Sequence, residues 1–306
     1  MVSREVGKKS ESPLSVELCG LGLATPLLPA AGTLAAEALA ERGTGAYGAL
    51  LPKTVTSSPR SGNPPPRVAE TASGMVNSIG LQNPGIEDFL GDLDSFEVGL
   101  PILVSVAGDT PEDFSALCER LGDDGRVAGV ELNLSCPNVE HPGVRSGATF
   151  CSEPGSVEAV VSACRAAMPG KPLIAKLACE GAVENAVAAE VSGADALTIA
   201  NTIQALTVDA RSRRVVVRGG LSGSAIKPVA LRAVYETYRA VGVPILGCGG
   251  VATGEDVAEF MLAGAAAVQV GSSAFSRQPW EMLDEFRSYL EGAGLAASEL
   301  TGLLHR

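Results

Sequence analysis

Short apolar runs, each bounded by Gly, Pro or Asn, recur along this chain: "LLPAAG", "GALLPK", "PILVSVAG", "GVELNLS", "PLIAKL", "ADALTIAN", "VPILGCGG" and "AAVQVGS". These eight runs lack the alternation of a half-exposed strand and read as strands buried on both faces. Most are separated by segments such as "PEDFSALCERLGDDG", "SVEAVVSACRAAMPG" and "GEDVAEFMLAG", where apolar residues return at helical spacing. Strands of this kind alternating with amphipathic helices predict a parallel sheet with helices packed on it. Eight such units in 306 residues suit an (α/β)8 TIM barrel forming one domain over residues 1–306, with the doubly wound open sheet as the alternative.

Two segments exceed a minimal barrel. Residues 54–90 are rich in Pro, Gly and Asn and read as a long irregular loop, which inside a domain of this kind is usually functional and here would lie over the C-terminal mouth. Residues 205–218, "ALTVDARSRRVVVR", read as a short β excursion after the sixth strand.

Composition narrows the partners. Hydrophobic residues at 46% and charged residues at 19% support a buried core, and no apolar run reaches the roughly 18 residues of a membrane span. The start, "MVSREVGKKSESP", lacks a signal-peptide core, so a soluble cytoplasmic protein is expected. A net charge of -12 repels phosphate backbones and anionic headgroups, which argues against nucleic acid or a membrane as partner. Seven cysteines without a CxxC pair fit reduced thiols better than a zinc or iron–sulfur site, and no metal is expected.

In such a barrel the chemistry collects where strands end at the C-terminal face. The polar residues there are Lys53, Asn77 of the long loop, Asn133, Cys136, Asn138, Lys176, Asn201 and Thr202. The glycine clusters "GGLSG" (219–223), "GCGG" (247–250) and "GSSAF" (271–275) follow the sixth, seventh and eighth strands, where backbone N–H groups commonly cradle a phosphate. A phosphate at one end, with amides and a lysine at the other, suits FMN. There Lys176 would be the cation that stabilises the reduced ring. Two other readings stay open for Lys176: a structural pair with a buried carboxylate, or the Schiff-base lysine of an aldolase. Cys136 ends a strand between two asparagines and is a candidate general base, with His141 five residues on as the alternative.

The stretches "GNPPPRVAET", "GMVNSIGLQNPG", "ELNLSCPN", "GGLSGSAIKPVALR" and "GCGGVATGEDVAEFMLAGAAAVQVGSSAF" resemble, in that order, the class 1 dihydroorotate dehydrogenases, most of all the type 1B catalytic subunit. The resemblance runs from about Leu14 to Phe275. It implies an FMN-binding barrel that oxidises (S)-dihydroorotate to orotate in pyrimidine synthesis. The cysteine of "SCPN", here Cys136, would take the C5 proton as the C6 hydride moves to flavin N5. By the same resemblance, substrate contacts fall on Lys53, Asn77, Ser78, Ile79, Gly80, Leu81, Asn133, Asn138, Asn201 and Thr202. Flavin contacts fall on Lys53, Thr54, Asn133, Lys176, Ala200, Gly223, Gly249, Gly250, Gly271 and Ser272. Type 1B enzymes pass electrons to NAD+ through a second subunit holding FAD and a 2Fe–2S cluster, so the resemblance implies a homodimer joined to such subunits. Another dihydropyrimidine is the alternative substrate. The chain departs from the pattern in a longer loop after Cys136 that carries Cys151, in "LACEGAV" after Lys176, and in Ala31 and Ser105 near the expected flavin.

Overall fold

A computed structural model describes residues 12–33, 45–96, 99–135 and 150–306. The described chain opens with an antiparallel hairpin, β1 (Val16–Leu18) and β2 (Leu21–Leu23), whose turn residues Cys19 and Gly20 both sit at positive φ, 51° and 80°. That is the backbone a two-residue primed turn requires. After β3 (Leu27–Pro29) come a second hairpin, β4 (Val68–Thr71) and β5 (Gly74–Asn77), and helix α1 (Ile86–Asp92). The regular alternation then begins with β6 (Ile102–Val106), α2 (Pro111–Gly122), β7 (Val127–Asn133), α3 (Pro154–Ala167), β8 (Leu173–Leu177), α4 (Ala182–Val191) and β9 (Ala196–Ile199). The hairpin β10 (Ile203–Asp209) and β11 (Arg214–Ser222) interrupts it. It resumes with α5 (Lys227–Tyr238), β12 (Ile245–Cys248), α6 (Gly254–Leu262), β13 (Ala265–Val270), α7 (Pro279–Ala293) and the short α8 (Ala297–Leu300).

Seven strands form one parallel sheet in the order β3-β13-β12-β9-β8-β7-β6. The predicted second strand, "GALLPK", takes the eighth position: Gly48 N–H donates to Leu27 O at 2.8 Å, and Leu50 N–H to Pro101 O at 2.9 Å. The ring therefore closes between β3 and β6 into the expected barrel. This segment keeps only two parallel bridges, Leu50 to Ile102 and Val55 to Val106. Five residue steps on its side oppose four on β6, and Pro52 between the bridges has no N–H to give, so the ladder breaks.

The helices start where their caps dictate. Thr110 and Asp113 form a capping box at α2, and Thr253 and Asp256 form another at α6, each worth about 1 kcal/mol through its threonine. Phe114 and Phe260, both fully buried, seat these two helices on the sheet. Strands β6, β8, β9 and β12 have no exposed residue, as the unbroken apolar runs predicted.

The 54–90 segment is more ordered than a loop. Its hairpin β4–β5 joins the β10–β11 excursion in a four-stranded antiparallel sheet, β10-β11-β5-β4, with Gly220 opposite Asn77. The pattern hid these strands because β4 is almost wholly polar or solvent-facing and is held by its pairing with β5, not by a buried face.

Candidate functional site

A cavity of about 250 Å³ opens at the C-terminal ends of the barrel strands, beneath the four-stranded sheet. It is lined by backbone and side chains from both. On its barrel side, Asn133 ends β7 and Asn201 follows β9. Asn201 Nδ2 donates to Asn133 Oδ1 and to Ser135 Oγ, each at 3.1 Å, and the Asn201 Oδ1 accepts from Thr202 N–H at 2.8 Å. Ser135 in turn donates to the Lys176 carbonyl at 3.2 Å. One amide cluster thus ties the ends of β7, β8 and β9 together.

Lys53 reaches the cavity from the eighth strand position and lies against Gly32. Gly32 has φ +87°, a backbone that favours glycine, and a Cβ there would press on the Lys53 side chain, 3.3 Å from its Nζ. Thr54 also lines the cavity, and its Oγ1 lies 3.0 Å from the buried Ser105 Oγ.

Lys176 both faces the cavity and meets a buried carboxylate. It lines the cavity, and behind it the barrel interior holds Glu131, fully buried. Lys176 Nζ is 3.6 Å from Glu131 Oε1 and donates to Gln269 Oε1 at 3.0 Å. Glu131 Oε2 accepts from Gln269 Nε2 at 2.6 Å and from Thr198 Oγ1 at 2.8 Å. So the lysine does pair with a buried carboxylate, and it also faces the site.

On the sheet side, Asn77 of β5 lines the cavity and donates to the Gly220 carbonyl at 3.3 Å. Ile79, Gly80 and Leu81 line it as well. Ser78 does not; its hydroxyl accepts from Asn63 Nδ2 at 2.9 Å, while Asn63 N–H donates to the Ile79 carbonyl at 3.0 Å. Buried Asn83 binds Leu81 O at 2.7 Å and Thr56 Oγ1 at 2.8 Å, linking this segment to the strand that carries Lys53.

The far end is built from glycines. Gly223, Gly249, Gly250, Gly271 and Ser272 all line the cavity, with Ala200 on the wall between. Gly250 has φ +82°, and a Cβ there would stand 2.7 Å from the backbone N of Lys227 at the start of α5. The register that pairs Cys248 with Gln269 engages the Gly249 N–H in the barrel ladder, while Gly250, just beyond it, lies against the first turn of α5. Backbone of this kind, glycine beside the start of a helix, suits an anion.

Every sequence-predicted site residue within the described chain lines this one cavity except Ser78. Cys136, Asn138 and His141 lie outside the described residues. Sequence reasoning missed Ser135, Met75, Ser222 and Cys248; the last was readable only as a core thiol. Burial pushes the Cys248 thiol up, and Glu131 adds to this while Lys176 opposes it. Cys151 is buried away from the cavity and its thiol is pushed up to about 11 by burial. Its carbonyl accepts from buried Asn185 at 2.8 Å, which pins the chain at the start of α3. Cys179, raised to about 12 by burial and then by Glu180, is likewise protonated at neutral pH.

Residues 13–286 match the family profile described as Dihydroorotate dehydrogenase. The chain is similar to proteins named dihydroorotate dehydrogenase B (NAD(+)), catalytic subunit, of Pelobacter propionicus and Geobacter metallireducens. It is 42% identical to each over 303 residues, covering 95% of this chain and 98% of theirs. Equal identity and coverage relate it to a Solibacter usitatus protein assigned to dihydroorotate dehydrogenase A (fumarate). Among solved structures, it resembles an Eimeria tenella DHODH in complex with ferulenol. The TM-score is 0.83 and the identity 25%, over 100% of this chain and 92% of that one.

Proposed function

Since this chain belongs to the dihydroorotate dehydrogenase family, we propose that it is an FMN-dependent enzyme oxidising (S)-dihydroorotate to orotate, its 306 residues forming a single FMN-binding barrel domain. The observation that carries the reading is the polarity of one cavity: a glycine-lined end beside the start of α5, Lys176 in the middle, and a lysine with three amides at the other end. An isoalloxazine with a phosphate tail fits that donor set, since the cradle suits a dianion and a cation beside the ring suits its reduced form.

FMN, when bound, supplies the acceptor for the C6 hydride. The chain's own residues do the rest. Lys53 and the amides of Asn77, Asn133 and Asn201 hold the carboxylate and ring edges of the substrate, joined by Asn138 and Thr202. Cys136, directly after Ser135, takes the C5 proton. Burial raises the thiols of Cys151, Cys179 and Cys248, and the resemblance of "SCPN" to the family motif gives the role of base to Cys136. The Asn77 to Leu81 segment forms the cover, and Ser78 supports it through Asn63.

Electrons leave through a separate subunit carrying FAD and a 2Fe–2S cluster to NAD+, joined to a homodimer of this chain in the cytoplasm. The relatives named catalytic subunits support a partner. Among the described residues no helix is long and apolar enough to cross a membrane.

The visible spectrum tests the reading. The purified protein, or the apoprotein after reconstitution with FMN, is expected to be yellow and to bleach anaerobically with dihydroorotate. A protein that takes up no FMN would overturn the flavin assignment. A yellow one bleached by another dihydropyrimidine but not by dihydroorotate would overturn the substrate.

A further inference from the structure

A fully buried carboxylate inside a barrel is costly unless something compensates it. Glu131 sits on β7, under Lys176 of β8, and its two oxygens are treated differently. Oε2 accepts two hydrogen bonds, from Gln269 at 2.6 Å and from Thr198 at 2.8 Å. Oε1 accepts none and lies 3.6 Å from Lys176 Nζ, beyond hydrogen-bond reach. Gln269 fills the gap: its Nε2 holds the carboxylate and its Oε1 holds the ammonium at 3.0 Å. The side chain is therefore a spacer with a fixed amide orientation, since reversing it would set N–H against ammonium and oxygen against carboxylate. Lys176 is kept forward in the cavity with its charge only partly cancelled from behind.

We propose that Glu131 and Gln269 are positioning residues that set how much positive charge Lys176 presents to a bound flavin, and so set the flavin's two-electron reduction potential. The inference rests on the FMN reading above. It assigns the two residues opposite effects. Removing the carboxylate leaves the lysine's charge uncancelled, which favours the anionic reduced ring. Removing the amide spacer lets lysine and carboxylate close on each other and draws the charge back from the cavity.

The test is the potential of the bound flavin, measured without substrate by equilibration with reference dyes, together with FMN affinity of the apoprotein. Glu131→Gln is expected to raise the reduced-to-oxidised ratio at a fixed potential tenfold or more, which is about 30 mV for a two-electron couple. Gln269→Met is expected to shift it the other way. Thr198→Val removes a neutral hydrogen bond and no charge, and is expected to leave the ratio within about twofold. Equal potentials in wild type, Glu131→Gln and Gln269→Met, all with FMN bound, would overturn the proposal. So would shifts of one sign in both, or a Thr198→Val shift as large as that of Glu131→Gln, because packing would then account for them. If Glu131→Gln does not fold, the sign of the Gln269→Met shift decides. A wild-type chain that binds no FMN sinks the flavin reading itself and is seen before any variant is compared.

Discussion

Asn201 donates from Nδ2 to Oδ1 of Asn133, 3.1 Å away, and this bond spans the ends of β9 and β7 at the mouth of the barrel. The Asn133 amide is thereby turned so that its own N–H groups are left for a ligand.

Asn201→Ala removes that bond, the one to Ser135, and a proposed substrate contact together. A buried amide left without its partner costs about 1–3 kcal/mol, so kcat/KM for dihydroorotate is expected to fall roughly 10- to 100-fold. The FMN spectrum should persist. A change confined to FMN content would place Asn201 in cofactor binding alone.

Cys136→Ala is expected to keep FMN but slow anaerobic flavin reduction by about 10²- to 10⁴-fold, the range of a general base. Cys151→Ser is expected to reduce normally, because the Cys151 thiol is buried outside the cavity and raised to about 11. Stopped-flow bleaching of the two variants separates them; near-normal reduction in Cys136→Ala would move the base to His141.

Gly250→Ala forces a Cβ onto a backbone at φ +82° and within 2.7 Å of Lys227 N. The cradle must open to accept it. Affinity for FMN is expected to drop about tenfold or more, as one or more charge-assisted N–H bonds are lost, while affinity for riboflavin changes little. Titration of the apoprotein with both ligands gives the ratio, and an equal loss for both would show damage to the ring site instead.

Acid stability follows from carboxylates held below their usual range. Burial pushes Asp256 up, but Lys227 and the N–H groups of Ala252 and Thr253 outweigh it and hold it low. Asp124 is held at about 2, chiefly by Arg126. A carboxylate with a depressed folded pKa binds fewer protons folded than unfolded. Its stabilisation is full above the ordinary carboxylate pKa and is lost as pH falls through the folded value, for Asp124 between 3.8 and about 2. Lys227→Met takes away the side-chain partner of Asp256 and is expected to move the acid-unfolding midpoint to higher pH. Circular dichroism against pH reads it.

Sequence alone pointed to a parallel α/β fold, with the barrel ahead of the open sheet, and to most of the residues that line the cavity. Unbroken apolar runs such as "PILVSV" and "PLIAKL" read as strands buried on both faces, and parallel strands of an α/β fold gather their C-terminal ends on one side, which grouped Lys176, Asn133 and Asn201. Caps were equally local: "TPED" and "TGED" state their own helix starts. Tertiary structure decided the rest. The hairpin β4–β5 has a single buried residue, Val76, too little to leave a pattern, and β5 is held by its pairing with β11. Ser78 and Ile79 are neighbours in sequence, yet one faces Asn63 and the other the cavity, as the two-residue period of extended chain requires once one of them is anchored. Glu131 and Gln269 lie 138 residues apart on β7 and β13, and only barrel closure brings both to Lys176. Their meeting has no sequence signature, because a buried polar residue in an apolar run shows its purpose only through the partner across the core.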